Sequence, residues 1–156
     1  MYTKFSSFVL TVLLAGWLSS ADALAGSDYM HVERSQDDSD LRITSIGAFG
    51  LSKDTIGHVD LSYIESVGDG EALAIDLGAG ISKTLGATFF IGVGVLLGYN
   101  WDESDSLSAY YSEAGVFIPI IGDSFGLTVT EKRYYELASP NDNESIIMFG
   151  LLFSGD

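Results

Sequence analysis

From about residue 40 the chain alternates apolar and polar side chains with a period of two, in stretches of about ten residues divided by short polar breaks. The clearest stretch puts Phe89, Ile91, Val93, Val95, Leu97, Tyr99 and Trp101 on one face and Gly92, Gly94 and Gly98 on the other. Successive side chains of a strand point to opposite faces, so this spacing predicts strand. A bilayer-spanning helix would need roughly 20 apolar residues without such a run of glycines. Leu73, Ile75, Leu77, Ala79 and Ile81 likewise oppose Ala72, Ala74, Asp76, Gly78, Gly80 and Ser82, and Val59, Leu61 and Tyr63 oppose His58, Asp60 and Ser62. In the stretch 40–51 the pattern places Leu41, Ile43, Phe49 and Leu51 outward and Arg42, Thr44, Ala48 and Gly50 inward, with Ile46 an exception on the inner side.

Three more alternating stretches follow. Tyr110, Ala114, Val116 and Ile118 oppose Tyr111, Glu113, Gly115 and Phe117; Phe125, Leu127 and Val129 oppose Gly126, Thr128, Thr130 and Lys132; Ile147, Phe149, Leu151 and Phe153 form the last apolar face. That makes seven strands. Charges share faces with glycines, so the charged face points inward and the apolar face outward, the inverse of a soluble lipocalin-like binder. A single-chain barrel of this kind has an even number of strands. Parity therefore assigns the eighth to Asp28–Arg34, with Met30 and Val32 outward. The expected fold is all-β: an eight-stranded antiparallel up-and-down transmembrane β-barrel spanning residues 26–156.

The first 25 residues have a different character. Lys4, an apolar stretch from Phe8 to Leu18 and the small-residue ending Ala23-Leu24-Ala25 read as a cleavable signal peptide, which implies export. The 156-residue chain has no cysteine, so disulfides cannot hold the domain together and no acylated N-terminus is available. Its net charge of -15 opposes nucleic-acid binding.

The breaks between strands differ in kind on alternate sides. One set carries Asp37, Asp38 and Asp40; Asp69 and Glu71; Asp102, Glu103 and Asp105; and Asp142 and Glu144. The other set, Ser52–Thr55, Lys83–Ala87 and Ile121–Ser124, is short and holds Lys53 and Lys83. This predicts an acidic external rim and short periplasmic turns. Tyr63, Tyr99, Trp101, Tyr110, Tyr134 and Tyr135 fall near strand ends, where an aromatic girdle is expected. The pattern resembles the small eight-stranded bacterial outer-membrane barrels typified by OmpX and the membrane domain of OmpA. The resemblance implies residence in the outer membrane, contact with lipid and lipopolysaccharide, assembly by the barrel-assembly machinery and a monomeric state. It also implies a terminal aromatic residue, whereas here Ser154, Gly155 and Asp156 follow Phe153.

An eight-stranded barrel is just wide enough for side chains to fill. The inward set Arg42, Asp60, Asp76, Glu113 and Lys132 therefore predicts a packed ionic network, since charges taken out of water must pair. Inward glycines would make room for Phe90, Tyr111, Phe117 and Tyr134. His58, Asp60 and Ser62 share one face, but positions two apart are over about 6 Å distant along a strand, which disfavours direct contact. Gly92-Val93-Gly94 with Gly98 lacks the spacing and following helix of a dinucleotide site. Asn143-Glu144-Ser145 matches a glycosylation acceptor with no meaning in a bacterial envelope. The acidic breaks suit diffuse binding of divalent cations, with no metal site or cofactor expected. The expected function is non-enzymatic, structural or surface-interacting; a narrow pore and a lipid A-modifying enzyme are the alternatives.

Overall fold

In the computed structural model, residues 27–36, 41–66, 70–102, 104–136 and 143–154 are described. They form eight strands: β1 (Ser27–Ser35), β2 (Leu41–Leu51), β3 (Thr55–Ser66), β4 (Gly70–Leu85), β5 (Ala87–Asn100), β6 (Asp105–Ile121), β7 (Phe125–Glu136) and β8 (Asn143–Ser154). Each pairs antiparallel with its sequence neighbour, and β1 pairs with β8, so the sheet closes into an up-and-down barrel. The strand that parity demanded is present, and closure leaves no strand edge unpaired. The signal-peptide reading of residues 1–25, the residues Asp37, Asp38, Asp40, Asp69, Glu103 and Asp142, and the final Gly155 and Asp156 lie outside the described residues.

The register fixes the shape of the barrel. Followed once round through paired residues, Phe153 leads to Met30, Ala48, Val59, Leu77, Val95, Tyr110, Tyr135 and then Asn143, ten residues back along the strand it started from. A stagger of this kind requires the strands to tilt strongly against the barrel axis. This row also lies on the outer surface, where Met30, Val59, Tyr110 and Phe153 are exposed.

At one end the strands are joined by short turns, 52–54, Gly86 and 122–124; the connections 36–40, 67–69, 101–104 and 137–142 lie at the other. The turn expected over Lys83–Ala87 shrinks to Gly86 alone, because β4 continues through Lys83 to Leu85. Gly86 has φ of +89°, which glycine adopts without a Cβ penalty. In β6 the register against β7 shifts between Pro119 and Ile121, at a proline that has no N–H to give the ladder.

The interior is layered. Towards the turn end, Tyr29, Phe49, Ile56, Phe90, Phe117 and Leu152 pack into one apolar cluster. Towards the other end, Ile43, Ile64, Leu96, Tyr111, Tyr134, Ile146 and Met148 lead a second. Polar groups occupy the layer between.

The layering corrects the phase expected for β2. Ile43, Ser45 and Phe49 are buried inside, while Arg42, Thr44, Ile46 and Ala48 face out. Apolar residues stand on both faces of β2, so alternation alone could not orient it. The two apolar clusters claim Ile43 and Phe49, and that turns Arg42 out of the barrel. Tyr134, which the sequence pattern placed both near the girdle and among the inward side chains, is buried inside beside Tyr111, with ring centroids 5.2 Å apart.

Inward glycines are what let the large side chains cross so narrow a lumen. A Cβ on Gly94 would run into the ring and hydroxyl of Tyr111, and one on Gly126 into the ring of Phe117. Overpacking a filled core costs about 1–3 kcal/mol. Gly94→Val is therefore expected to lower the unfolding free energy by at least about 2 kcal/mol, and a urea titration with tyrosine fluorescence as the probe measures it.

Candidate functional site

Asp60, Asp76, Glu113 and Lys132, four of the five residues expected in the interior network, meet in the middle layer of the lumen; Arg42 does not. Three residues join them that the sequence pattern passed over as charged partners: Glu33 and His31 of β1, and His58 of β3. Cross-strand pairing brings these together, because His31, Gly47, Asp60 and Asp76 lie in one row across β1 to β4. β2 contributes only a glycine to that row. A side chain on Gly47 would strike Asp60, so its absence lets His31 and Asp60 face each other across the intervening strand.

The contacts close into a ring. Lys132 Nζ donates to Glu33 Oε1 at 2.8 Å and to Asp76 Oδ2 at 2.9 Å. The Tyr111 hydroxyl donates to the second oxygen of Asp76 and stands 3.2 Å from His58 Nε2. His58 Nδ1 donates to Asp60 Oδ2 at 2.7 Å, and its Nε2 lies 3.3 Å from Glu113 Oε2. His31 completes the circuit, with Nδ1 3.3 Å from Asp60 Oδ1 and Nε2 3.5 Å from Glu33 Oε2. Five strands, β1, β3, β4, β6 and β7, are tied through this one layer. Lys132 also sits over the Tyr111 ring, 5.2 Å from its centroid, where the face of the π-system attracts a cation.

Glycines again supply the space. A Cβ on Gly78 would meet the His58 imidazole, and one on Gly92 the Glu113 carboxylate. The Gly92-Val93-Gly94 run thus has a packing role: its glycines leave room inside for Glu113 and Tyr111, while Val93 is exposed outside.

The shared face of His58, Asp60 and Ser62 divides into two arrangements. His58 and Asp60 touch directly, contrary to the expectation from strand spacing, because the imidazole reaches along the strand to the carboxylate. Ser62 is turned away and pairs its hydroxyl with that of Ser45 at 2.8 Å. The base and carboxylate of a triad are in contact, but the hydroxyl needed as nucleophile is engaged elsewhere.

The outer surface carries the remaining sequence-predicted residues. Tyr99, Trp101 and Tyr110 are exposed, Tyr63 and Tyr135 are half-buried, and Tyr110 stacks on Tyr135 with centroids 5.1 Å apart. At the same end Glu65, Glu71, Asp102, Asp105 and Glu144 are exposed, together with Arg34, Arg42 and Arg133, while the exposed Glu131 lies mid-strand on the outer face of β7. Asp102 is not simply a solvated charge: its Oδ2 accepts the backbone N–H of Glu71 at 2.8 Å and so ties the connection after β5 to the start of β4.

No protein-family model, curated protein or solved structure matches the chain. Its site must therefore be read from its own geometry.

Why these residues fit that layer follows from charge. Four carboxylates, Glu33, Asp60, Asp76 and Glu113, face Lys132 and two histidines, all buried. Both nitrogens of His58 meet carboxylates, and only an imidazolium donates from both. Lys132 is the cation shared by Glu33 and Asp76, and removing one partner of a buried pair costs about 3–5 kcal/mol because the other is left uncompensated. Lys132→Met is expected to destabilise the barrel by at least that amount. Adding Asp76→Asn should recover part of the loss by removing one stranded charge, which urea unfolding of the single and double variants tests.

Proposed function

We propose that this protein is a non-enzymatic outer-membrane β-barrel of a Gram-negative envelope, exported by its N-terminal signal and serving a structural or surface-interaction role. The observation that carries this reading is the outer surface. Met30, Ile46, Val59, Leu61, Ile75, Phe89, Ile91, Val93, Leu97, Ile118, Ile147, Phe149, Leu151 and Phe153 are all exposed, and they girdle the closed sheet from β1 to β8. Ser112 of β6 and Glu131 of β7 are polar groups within the band, Glu131 accepting from the Ser145 hydroxyl, and the other exposed charges gather towards the ends. A monomer in water rarely exposes an apolar patch of more than a few hundred Å². Lipid is the solvent that makes such a band favourable, and a closed barrel satisfies every strand's backbone without water.

The two rims fit the same reading. Lys53, Asp54, Lys83 and Asp123 lie at the turn end, which suits the periplasmic side with its short turns. Tyr63, Tyr99, Trp101, Tyr110 and Tyr135 sit towards the opposite end, where amphipathic rings favour the headgroup level. Beyond them the mixed carboxylates and arginines suit lipopolysaccharide, whose phosphates and bridging divalent cations have complementary charge. The resemblance to OmpX and the OmpA membrane domain, drawn from architecture, supports this placement and assembly by the barrel-assembly machinery.

The filled lumen weighs against the transport alternative, because buried apolar clusters close the ionic layer from both ends. The lipid A-modifying alternative loses its nucleophile, since Ser62 is held by Ser45 inside the barrel.

Cell fractionation tests the proposal: recovery in the outer membrane, with heat-modifiable migration in detergent, is expected, and recovery in the soluble periplasm overturns it. Val93→Arg, on the outer face at the middle of β5, is expected to cost about 2–4 kcal/mol for folding into lipid vesicles. The same change should have little effect if this face meets water. In planar bilayers the wild-type barrel is expected to show no steady conductance.

A further inference from the structure

The ionic ring has one segment whose atoms are close together but not bonded. Both nitrogens of His31, and Asp60 Oδ1, make no hydrogen bond although each is buried. They approach at 3.3 Å without alignment, as Glu33 Oε2 approaches the other side of the imidazole at 3.5 Å. A buried polar atom without a partner costs about 1–3 kcal/mol, which is unexpected at three atoms in one place.

From this we infer that His31, Glu33 and Asp60 form a binding site for one divalent transition-metal ion of the zinc class. One ligand atom from each residue lies within 4.8 Å of the others. The 3.3 Å and 3.5 Å approaches are to opposite nitrogens of the ring, so the ion takes one nitrogen and the carboxylate lying against the other swings towards it. Imidazole and carboxylate bonds to zinc of about 2.0–2.2 Å in tetrahedral geometry bring the ligand atoms to roughly 3.3–3.5 Å from one another. One nitrogen and two oxygens with a fourth position open is a donor set that suits zinc better than calcium or magnesium, which prefer oxygen alone.

Two features outside the trio point the same way. Each carboxylate has one oxygen already held: Lys132 binds Glu33 Oε1 and His58 Nδ1 binds Asp60 Oδ2. The second oxygen of each is thereby turned towards His31. Such outer partners orient metal ligands and raise affinity. Charge agrees as well. Lys132 is the one lysine or arginine among the buried described residues and stands against four buried carboxylates, so a divalent cation adds positive charge where it is short. The site lies in the lumen and depends on the barrel alone, not on whether its outer face meets lipid.

The test uses Co²⁺ as a spectroscopic substitute and Zn²⁺ as the competitor. Wild-type chain is refolded from urea into detergent micelles with Co²⁺ present, so that access to the closed lumen is not limiting, and is then gel-filtered. One Co²⁺ retained per chain, with visible d–d bands that Zn²⁺ abolishes, is the expected result. X-ray absorption of the Zn²⁺-loaded wild type should show imidazole scattering among oxygen ligands. Loss of an outer partner alone weakens metal sites about 10–100-fold, so Asp60→Asn, which keeps the side chain's shape, is expected to lower affinity by more than about 100-fold. His31→Phe should abolish retention. The inference is overturned if wild type retains no Co²⁺, if the Zn²⁺ spectrum lacks imidazole, or if Asp60→Asn folds and retains the ion undiminished. The wild-type measurements decide the matter even where a variant does not fold.

Discussion

The charge balance of the lumen is the constraint on which the rest of this barrel depends. Four carboxylates have been moved out of water into a space closed by side chains at both ends, and each needs a partner within a few ångströms. Removing an ion from water costs several kcal/mol even after the protein relaxes, so the pairing cannot be loose. Lys132 meets this need by reaching two strands at once, β1 through Glu33 and β4 through Asp76. His58 does the same between Asp60 on its own strand and Glu113 on β6. Because these partners lie on opposite walls, the ionic layer acts as a set of cross-braces. The register of the sheet is thereby tied to the chemistry of its interior.

Glycine is the necessary counterpart of that layer. An eight-stranded barrel offers little internal width, and long side chains fill it only where the opposite wall has none. Gly47, Gly78, Gly92 and Gly94 stand where Asp60, His58, Glu113 and Tyr111 cross. Their cost in backbone entropy, about 0.5–1 kcal/mol each in a strand relative to alanine, is offset by the contacts they admit. The glycines and the ionic residues are thus one feature, spread over neighbouring strands.

Much of this was legible in the sequence because lipid-compatible and lumen-facing positions alternate. On β3 to β8 the inner face is marked by glycine or charge and the outer by aliphatic residues, so Asp60, Asp76, Glu113 and Lys132 could be placed without a structure. β2 failed because Ile43, Ile46 and Phe49 put apolar groups on both faces, and its phase is set by the two apolar clusters, which are made by residues distant in sequence. Arg42 was misplaced for that reason alone. On β1 the outward Met30 and Val32 were readable, but no local pattern singled out His31 and Glu33 between them or supplied the identity of their partners. Tyr134 shows the limit for aromatics: proximity to a strand end suggested the girdle, yet even spacing from Lys132 put it inside.

The layering also narrows where any activity can reside. A lumen whose middle is ionic and whose ends are apolar resists both water and ions, since a hydrated solute would have to displace Phe49, Phe90 and Phe117 at one end and Ile43, Ile146 and Met148 at the other. Chemistry on a large external substrate is excluded from the ring by the same side chains. Among the described residues two places remain: the outer surface near the charged rim, and the His31 segment of the ring. The first is open to the surroundings, and its mixture of exposed carboxylates and arginines offers charges of both signs. The second is sealed after folding, so an ion there is acquired as the barrel closes and serves the barrel itself, by bridging β1 to β3 where β2 supplies only Gly47.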